Sequence, residues 1–235
     1  MAERLIFISS DKVNEPYYKE EMVQFTYFSG FATSQKQKSI RSLHENALRS
    51  YPNQKILEVS TKSEDPIGAH LSAFNLRLLD DETGVVYTLE NVFQSSKVYE
   101  NGGPYRDMLS LSPQDAKRDT RHHTSGRLVG FRWKSWDCPL EPKTMFYDWI
   151  YCKALSKDRK LVEEVIESGY TVFTDIEFNQ KKSINCQARA MAIFISLYRR
   201  GELYAFLEDK SKWESIYSPL KAAAQTEQIS FSFFE

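Results

Sequence analysis

The segment TLENVFQSSKVY, residues 88–99, is where the chain changes character. Thr88 offers a side-chain oxygen suited to capping a helix, and Leu89, Val92 and Phe93 are spaced for a helix reaching about Tyr99. Before it, short apolar runs alternate with turn residues and read as strands. These are LIFIS at 5–9, and KILEVS at 55–60 paired with LSAFNLRLLD at 71–80, whose turn at 80–84 leads to the return strand VVYT. FTYFSGF at 25–31 reads as an aromatic cluster joining the core, and Ser34 is placed to cap a helix to about Arg49 with Ile40, Leu43, Ala47 and Leu48 on its apolar side. Beyond residue 88 the chain reads as mainly helical. Ser112-Pro113 opens one helix and Pro142 starts KTMFYDWIYCKAL. A strand at TVFTDI, 171–176, leads to a long apolar helix over 185–200 stopped by Gly201, and KWESIYSPLKAA supplies the last helix. The expected class is α+β, predominantly α-helical with a small β element, in a single domain.

With 235 residues, 41% of them hydrophobic, the chain is long enough to bury one sizeable core. A formal net charge of -1 gives no global field toward nucleic acid, so any such binding must use a local patch. Cys138, Cys152 and Cys186 are odd in number and lack short metal-ligand spacing, which argues against a disulfide framework or a zinc site and suits a reducing cytosol. The start MAERLIFISS is too short in apolar residues for a secretory leader, and no run reaches membrane-spanning length. A soluble, cytoplasmic protein is expected.

Several stretches are able to carry chemistry. Glu90, Gln94 and Lys97 fall at i, i+4 and i+7, so a helix brings an acid, an amide and an amine onto one face. Such a stripe is more often only the solvated side of an amphipathic helix. In NGGPY, 101–105, two glycines permit a phosphate-binding turn or simply a tight one. Residues 117–134, KRDTRHHTSGRLVGFRWK, hold six basic side chains against the single acid Asp119, with Phe131 and Trp133 interleaved. That patch suits a diphosphate or a DNA backbone, with an ordinary solvated basic segment as an even alternative. His122 and His123 point about 100° apart on a helix and read as surface residues. In FTDIEFN, 173–179, Asp175 and Glu177 lie on one side of an extended backbone, as glycosidic chemistry requires, or else cap the following turn. SINCQAR, 183–189, places Asn185, Gln187 and Arg189 at a helix start, where an anion or ribose hydroxyls are held.

Read in order, LSAFNLRL, YTLENVFQSSKV, SPQDAKRDTRHHTSGR, WKSWD and MFYDWIYCKAL resemble the NADAR family, whose helix carries an E-x-x-x-Q-x-x-K pattern, here Glu90, Gln94 and Lys97. The resemblance runs from about residue 55 to 200. ENVFQSSKVYENGGPY, FYDWIYCKAL and FTDIEFNQKKSINCQARA are similar to the branch encoded beside DarT-type DNA ADP-ribosyltransferase toxins, and SQKQKSIRSLHENA within the first 50 residues fits that branch too. The chain departs from the YbiA-like branch where FTDIEFNQKKSIN stands in place of an Asp followed by Trp-Gly, so its second acid is Asp175 or Glu177.

The resemblance implies a NADAR/YbiA-like fold, with residues 51–235 as catalytic domain and residues 1–50 as a strand-and-helix extension packed on it in one compact unit. It implies an antitoxin that is a glycohydrolase for N-glycosidic bonds to ribose: ADP-ribose on guanine in DNA for the toxin-associated branch, small ribosylamine phosphates for the YbiA-like one. The implied partners are ADP-ribosylated DNA or ADP-ribose and, functionally, a cognate DarT-type toxin, with no membrane, cofactor or metal. Glu90, Lys97 and Asp175 become the catalytic candidates, Glu90 as acid or base. Lys97 offers a Schiff base with C1 of a ring-opened ribose, provided its surroundings lower its pKa. Gln94 and Asn75 would orient ribose or base, Gly103 would offer a backbone amide, and Arg118 and Arg127 would clamp the diphosphate. Phe74, Tyr105 and Trp136 would stack, and Asn185 would hold ribose or an anion. The rivals are a metabolite N-glycosidase, a non-hydrolytic ADP-ribose- or toxin-binding module, and a DNA-binding repressor, for which no helix-turn-helix or zinc pattern exists.

Overall fold

The computed structural model describes residues 1–180 and 183–217. Strands β1 (Ala2–Ser9) and β2 (Tyr18–Phe25) precede helix α1 (Thr33–Ser50), and β3 (Ile56–Glu58) and α2 (Pro66–His70) lead to the hairpin β4 (Arg77–Leu79) and β5 (Val86–Thr88). Next come α3 (Leu89–Ser95), β6 (Lys97–Tyr99), α4 (Pro113–Arg118), α5 (Arg121–Thr124) and a second hairpin of β7 (Leu128–Trp133) and β8 (Trp136–Pro139). Helices α6 (Met145–Lys157) and α7 (Arg159–Ser168), strand β9 (Val172–Thr174) and helices α8 (Gln187–Arg199), α9 (Leu203–Glu208) and α10 (Lys210–Ser215) complete the described chain.

The largest sheet has the order β2-β1-β9-β3, with β3 parallel to β9 and the other pairs antiparallel. Side chains alternate across it, as the strand period requires. Ile6 and Val172 face a small core with Ile40, Leu43 and Ala47 of α1, whereas Phe7 and Phe173 face the main core built around α6 and α8. Helix α6 sits inside that core, buried on nearly every side from Met145 to Ser156. Gly68 of α2 lets the helix lie against β3: a Cβ there would stand 2.0 Å from the Glu58 carbonyl oxygen. No helix among the described residues is long and apolar enough to cross a membrane.

The mixed α and β class holds, with 43% helix and 20% strand, so the β part is more than a small element and a predominance of helix is not borne out. The expected pairing of 55–60 with 71–80 also fails. Ile56–Glu58 pairs with β9 instead, and Ser72–Leu76 is a turn in which Ser72 O accepts from Leu76 N at 2.7 Å. The β4–β5 hairpin forms as read. Ser34 lies inside the first turn of α1, whose N-cap is Ala32, and Leu48 is exposed. Of the aromatic cluster only Phe25 is buried, while Tyr27, Phe28 and Phe31 face solvent. The last helix is described only to Ser215, and the remainder of KWESIYSPLKAA beyond Tyr217 lies outside the described residues.

The helix read over 88–99 divides in two. Thr88 caps it, accepting from Asn91 N, but the helix ends at Ser95 and Lys97–Tyr99 becomes a strand paired with β7, Lys97 opposite Phe131 and Val98 opposite Gly130. Pairing with β7 takes the place of a last helical turn here, and it begins at Ser96, whose carbonyl accepts from Arg132 N at 2.7 Å.

Candidate active site

A cavity of about 690 Å³ opens where α3, β6, α4, α6 and the β9–α8 connection meet, a size ordinary for small-molecule sites. Glu90 and Gln94 enter it from the buried helix α3, and Lys97 from the start of β6. Although Lys97 is not on the helix, the three side chains join in a chain: Gln94 Nε2 donates to Glu90 Oε1 at 2.8 Å, and Lys97 Nζ donates to Gln94 Oε1 at 2.6 Å. The amide thus links amine to carboxylate, and its orientation is fixed by the two charges. Burial lowers the Lys97 pKa to about 8, Glu90 pulling the other way and Lys117 adding to the drop. Its ammonium also lies 5.0 Å from the centre of the Phe93 ring.

The opposite wall comes from the end of β9. Asp175 is buried, and its Oδ1 accepts from the backbone N of Glu177 and of Phe178, both at 3.1 Å, so it does cap the following turn. Its Oδ2 accepts from Gln187 Nε2 at 3.1 Å, while Gln187 Oε1 takes the Ala73 backbone N–H. Burial drives the Asp175 carboxyl upward, against the hydrogen bond from Gln187 that lowers it. Glu177 also lines the cavity but is exposed. Two buried polar atoms of cavity-lining residues, Ser72 Oγ and Asn185 Oδ1, have no hydrogen-bond partner among the described residues. Unpaired buried polar groups are costly, so they mark where a polar ligand atom is expected to bind.

A family model described as the DarT1-associated NADAR antitoxin matches residues 2–227. The chain belongs to that family. No curated protein matches it.

In this NADAR antitoxin Glu90, Lys97, Asp175, Phe74, Gln94 and Asn185 all line the one cavity. The other six sequence-derived candidates do not. Asn75 donates to Ala69 O at 2.9 Å and lines a separate, smaller cavity beside His70 and Arg77. Gly103, at φ 82°, packs on the Lys97 carbonyl, which a Cβ would approach to 2.4 Å, so it supports the β6 backbone rather than offering a phosphate site. Tyr105 bonds Ser125 Oγ at 2.6 Å beneath the Arg121 guanidinium. Trp136 is buried edge-on to Trp149 with ring centres 4.4 Å apart, which removes it as a stacking surface. Arg127 is held by Glu100 at 2.6 Å, and Arg118 sits exposed on α4, outside the lining.

The histidine reading also changes. His122 is half-buried and lines the cavity, held by Tyr99 OH at 2.7 Å and Ala116 O at 2.8 Å, and burial lowers its pKa. Arg189 turns inward to a bidentate pair with the buried Asp148, at 3.1 and 3.2 Å, and is part of the core. Lys117, read as part of the basic segment, and Gln187 line the cavity, and sequence reasoning missed Lys143, Tyr147 and Ser72 as lining residues. Tyr147 falls within a helix whose many aromatic and aliphatic residues read as core, and its polar atom gives no spacing signal. Gln187 was noticed only as one of three polar residues at a helix start.

Proposed function

We propose that this protein is an N-glycosidase that removes ADP-ribose from guanine in DNA, reversing the modification made by a DarT-type toxin. The observation that carries the reading is the Lys97–Gln94–Glu90 chain inside a cavity of about 690 Å³, with an amine pKa near 8. An amine in that range is partly unprotonated at neutral pH and is able to attack carbon. A cavity acid protonates O4′ as the C1–O4′ bond opens and a C1=N bond to guanine forms. Lys97 Nζ then adds to C1 and passes its extra proton to the guanine nitrogen, which leaves as the C1–N bond breaks and C1=Nζ forms. Water then adds to the resulting Schiff base, the C1–Nζ bond breaks, and ADP-ribose leaves with Lys97 restored. Asp175, whose carboxyl burial raises to about 6, supplies an acid, and Glu90 a base for the water. Asn185 and Gln94 would contact ribose hydroxyls, Phe74 would stack, and Lys117, whose ammonium lies 5.3 Å from the Phe74 ring centre, would meet the diphosphate with Arg118 beside it. Guanine as the base is what the toxin-associated branch implies.

The test is release of free ADP-ribose from guanine- and thymine-ADP-ribosylated oligonucleotides. Release from guanine alone is expected. Binding of ADP-ribose without release would identify a binding module instead, and activity confined to small ribosylamine phosphates would identify a metabolic glycosidase.

A further inference from the structure

A second buried carboxyl lies behind the cavity wall, outside the chemistry above. Glu58, the last residue of β3, receives three donors: Ser60 Oγ at 2.6 Å and Ile176 N at 2.8 Å on Oε1, and Thr174 Oγ1 at 2.6 Å on Oε2. Thr174 and Ile176 are the two neighbours of Asp175 in the chain. The network continues to α1, where His44 Nε2 lies 2.8 Å from Thr174 Oγ1. While Glu58 is ionised and takes the Thr174 hydroxyl proton, His44 is the donor to Thr174 Oγ1 through Nε2–H. Burial lowers the His44 pKa to about 4, so the ring stays neutral and brings no cation to Glu58.

We propose that Glu58 is the positioning residue for Asp175: it holds the residues on both sides of Asp175, Thr174 by its hydroxyl and Ile176 by its backbone N–H, and the two buried carboxyls act as one unit that keeps Asp175 able to deliver a proton near neutral pH. This rests on the reading of Asp175 as the acid of a glycosidase site. Burial raises both carboxyls, and the charge of Asp175 raises Glu58 further. Linkage requires Glu58 to act on Asp175 by the same amount. The surroundings supply little relief. From the loop before α2, Glu64 is paired with Arg41 and Asp65 accepts from Tyr170 OH. On α8 Arg189 is committed to Asp148, and Cys186, like Tyr147 and Tyr151 of α6, is held neutral by burial. Glu177, next along the chain, adds a further negative charge, and Lys97 in the same cavity bonds Gln94.

The experiment is a carbon-detected NMR titration of the Asp and Glu carboxyls in the full chain. In the wild type, Asp175 and Glu58 should each show two inflections reporting each other. In Glu58→Gln, whose amide keeps the shape and can bond Ser60 and Thr174, the Asp175 midpoint should fall by about one pH unit. The alkaline limb of kcat for ADP-ribose release should move with it while KM stays put. An unmoved Asp175 midpoint in folded Glu58→Gln would overturn the proposal. Should that variant fail to fold, the wild-type curves decide, since a single Asp175 inflection overturns it equally. The titration needs no substrate, so the pairing can stand even where no oligonucleotide is cleaved, and in that case it is the glycosidase reading that fails.

Discussion

Lys97 shows how far one side chain can be read from its surroundings. Its folded pKa lies below the ordinary lysine value, so between about 8 and 10.5 the unfolded chain binds the proton that the folded chain has shed. Lys97 therefore costs stability at low pH, and that cost vanishes as pH rises through the unfolded value. Lys97→Met should raise stability by about 1 kcal/mol at pH 7, net of the lost bond to Gln94. The gain should shrink to nothing by pH 10.5, measured by thermal unfolding at several pH values. The same variant should lose borohydride trapping of the covalent adduct that the protein forms with ADP-ribose when ADP-ribosylated oligonucleotide is the substrate. A variant that is destabilised equally at pH 7 and above 10 would show that the amine is not held in a desolvated place. The sequence exposed the residue types of this trio but not their environment, because the pKa drop comes from the burial of Lys97, which no spacing rule encodes.

At the scale of elements, α3 is a seven-residue helix whose side chains are all buried, so it cannot be held by its own propensity. Asn91 ties it to the chain that follows: its Nδ2 donates to Met108 O at 2.7 Å and Leu111 O at 2.9 Å, while its Oδ1 takes the Thr88 hydroxyl that caps the helix. Asn91→Ala should cost about 1–3 kcal/mol by leaving the Leu111 carbonyl without its donor, whereas Met108 O keeps the Leu111 N–H, read by denaturant unfolding. It should impair release of ADP-ribose, since Glu90 and Gln94 lie on the same turn. A loss under half a kcal/mol would mean that the 106–111 segment does not support the helix. What was legible here was local: the caps at Thr88 and Ser112, the β4–β5 hairpin, the Gly201 stop. The β3–β9 pair was not, because its partners stand more than a hundred residues apart and an apolar triplet fits either a parallel or an antiparallel neighbour. The end of α3 failed for a related reason, since SSKVY suits both periods and only the partner strand decides between them.

At the scale of the molecule, the basic segment 117–134 shows why charge in sequence is not charge in space. Arg121 is held by Asp107 and Asp119, Arg127 by Glu100, Arg132 by Asp137, and Lys134 by Asp80 and Glu82. Most of those acids lie outside the segment, so its apparent excess is largely neutralised on folding, which leaves Lys117 and Arg118 without a carboxylate among the described residues. Surface pairs of this kind add little stability, yet they subtract cations from any encounter with DNA. Binding of an ADP-ribosylated single strand to an inactive Glu90→Gln variant should therefore weaken only shallowly with salt. Each contacted phosphate contributes a slope of about −0.7 in log K against log salt, so two free cations predict roughly −1.4. Lys117→Ala should bring the slope toward about −0.7 and weaken binding of free ADP-ribose about tenfold, whereas Arg132→Ala should change neither. Fluorescence anisotropy from 50 to 300 mM salt, about the range over which such slopes are read, separates the cases. A slope near −3.5, the value for about five contacts, would mean that the arginines leave their carboxylates for the strand and that the whole segment is a DNA track after all.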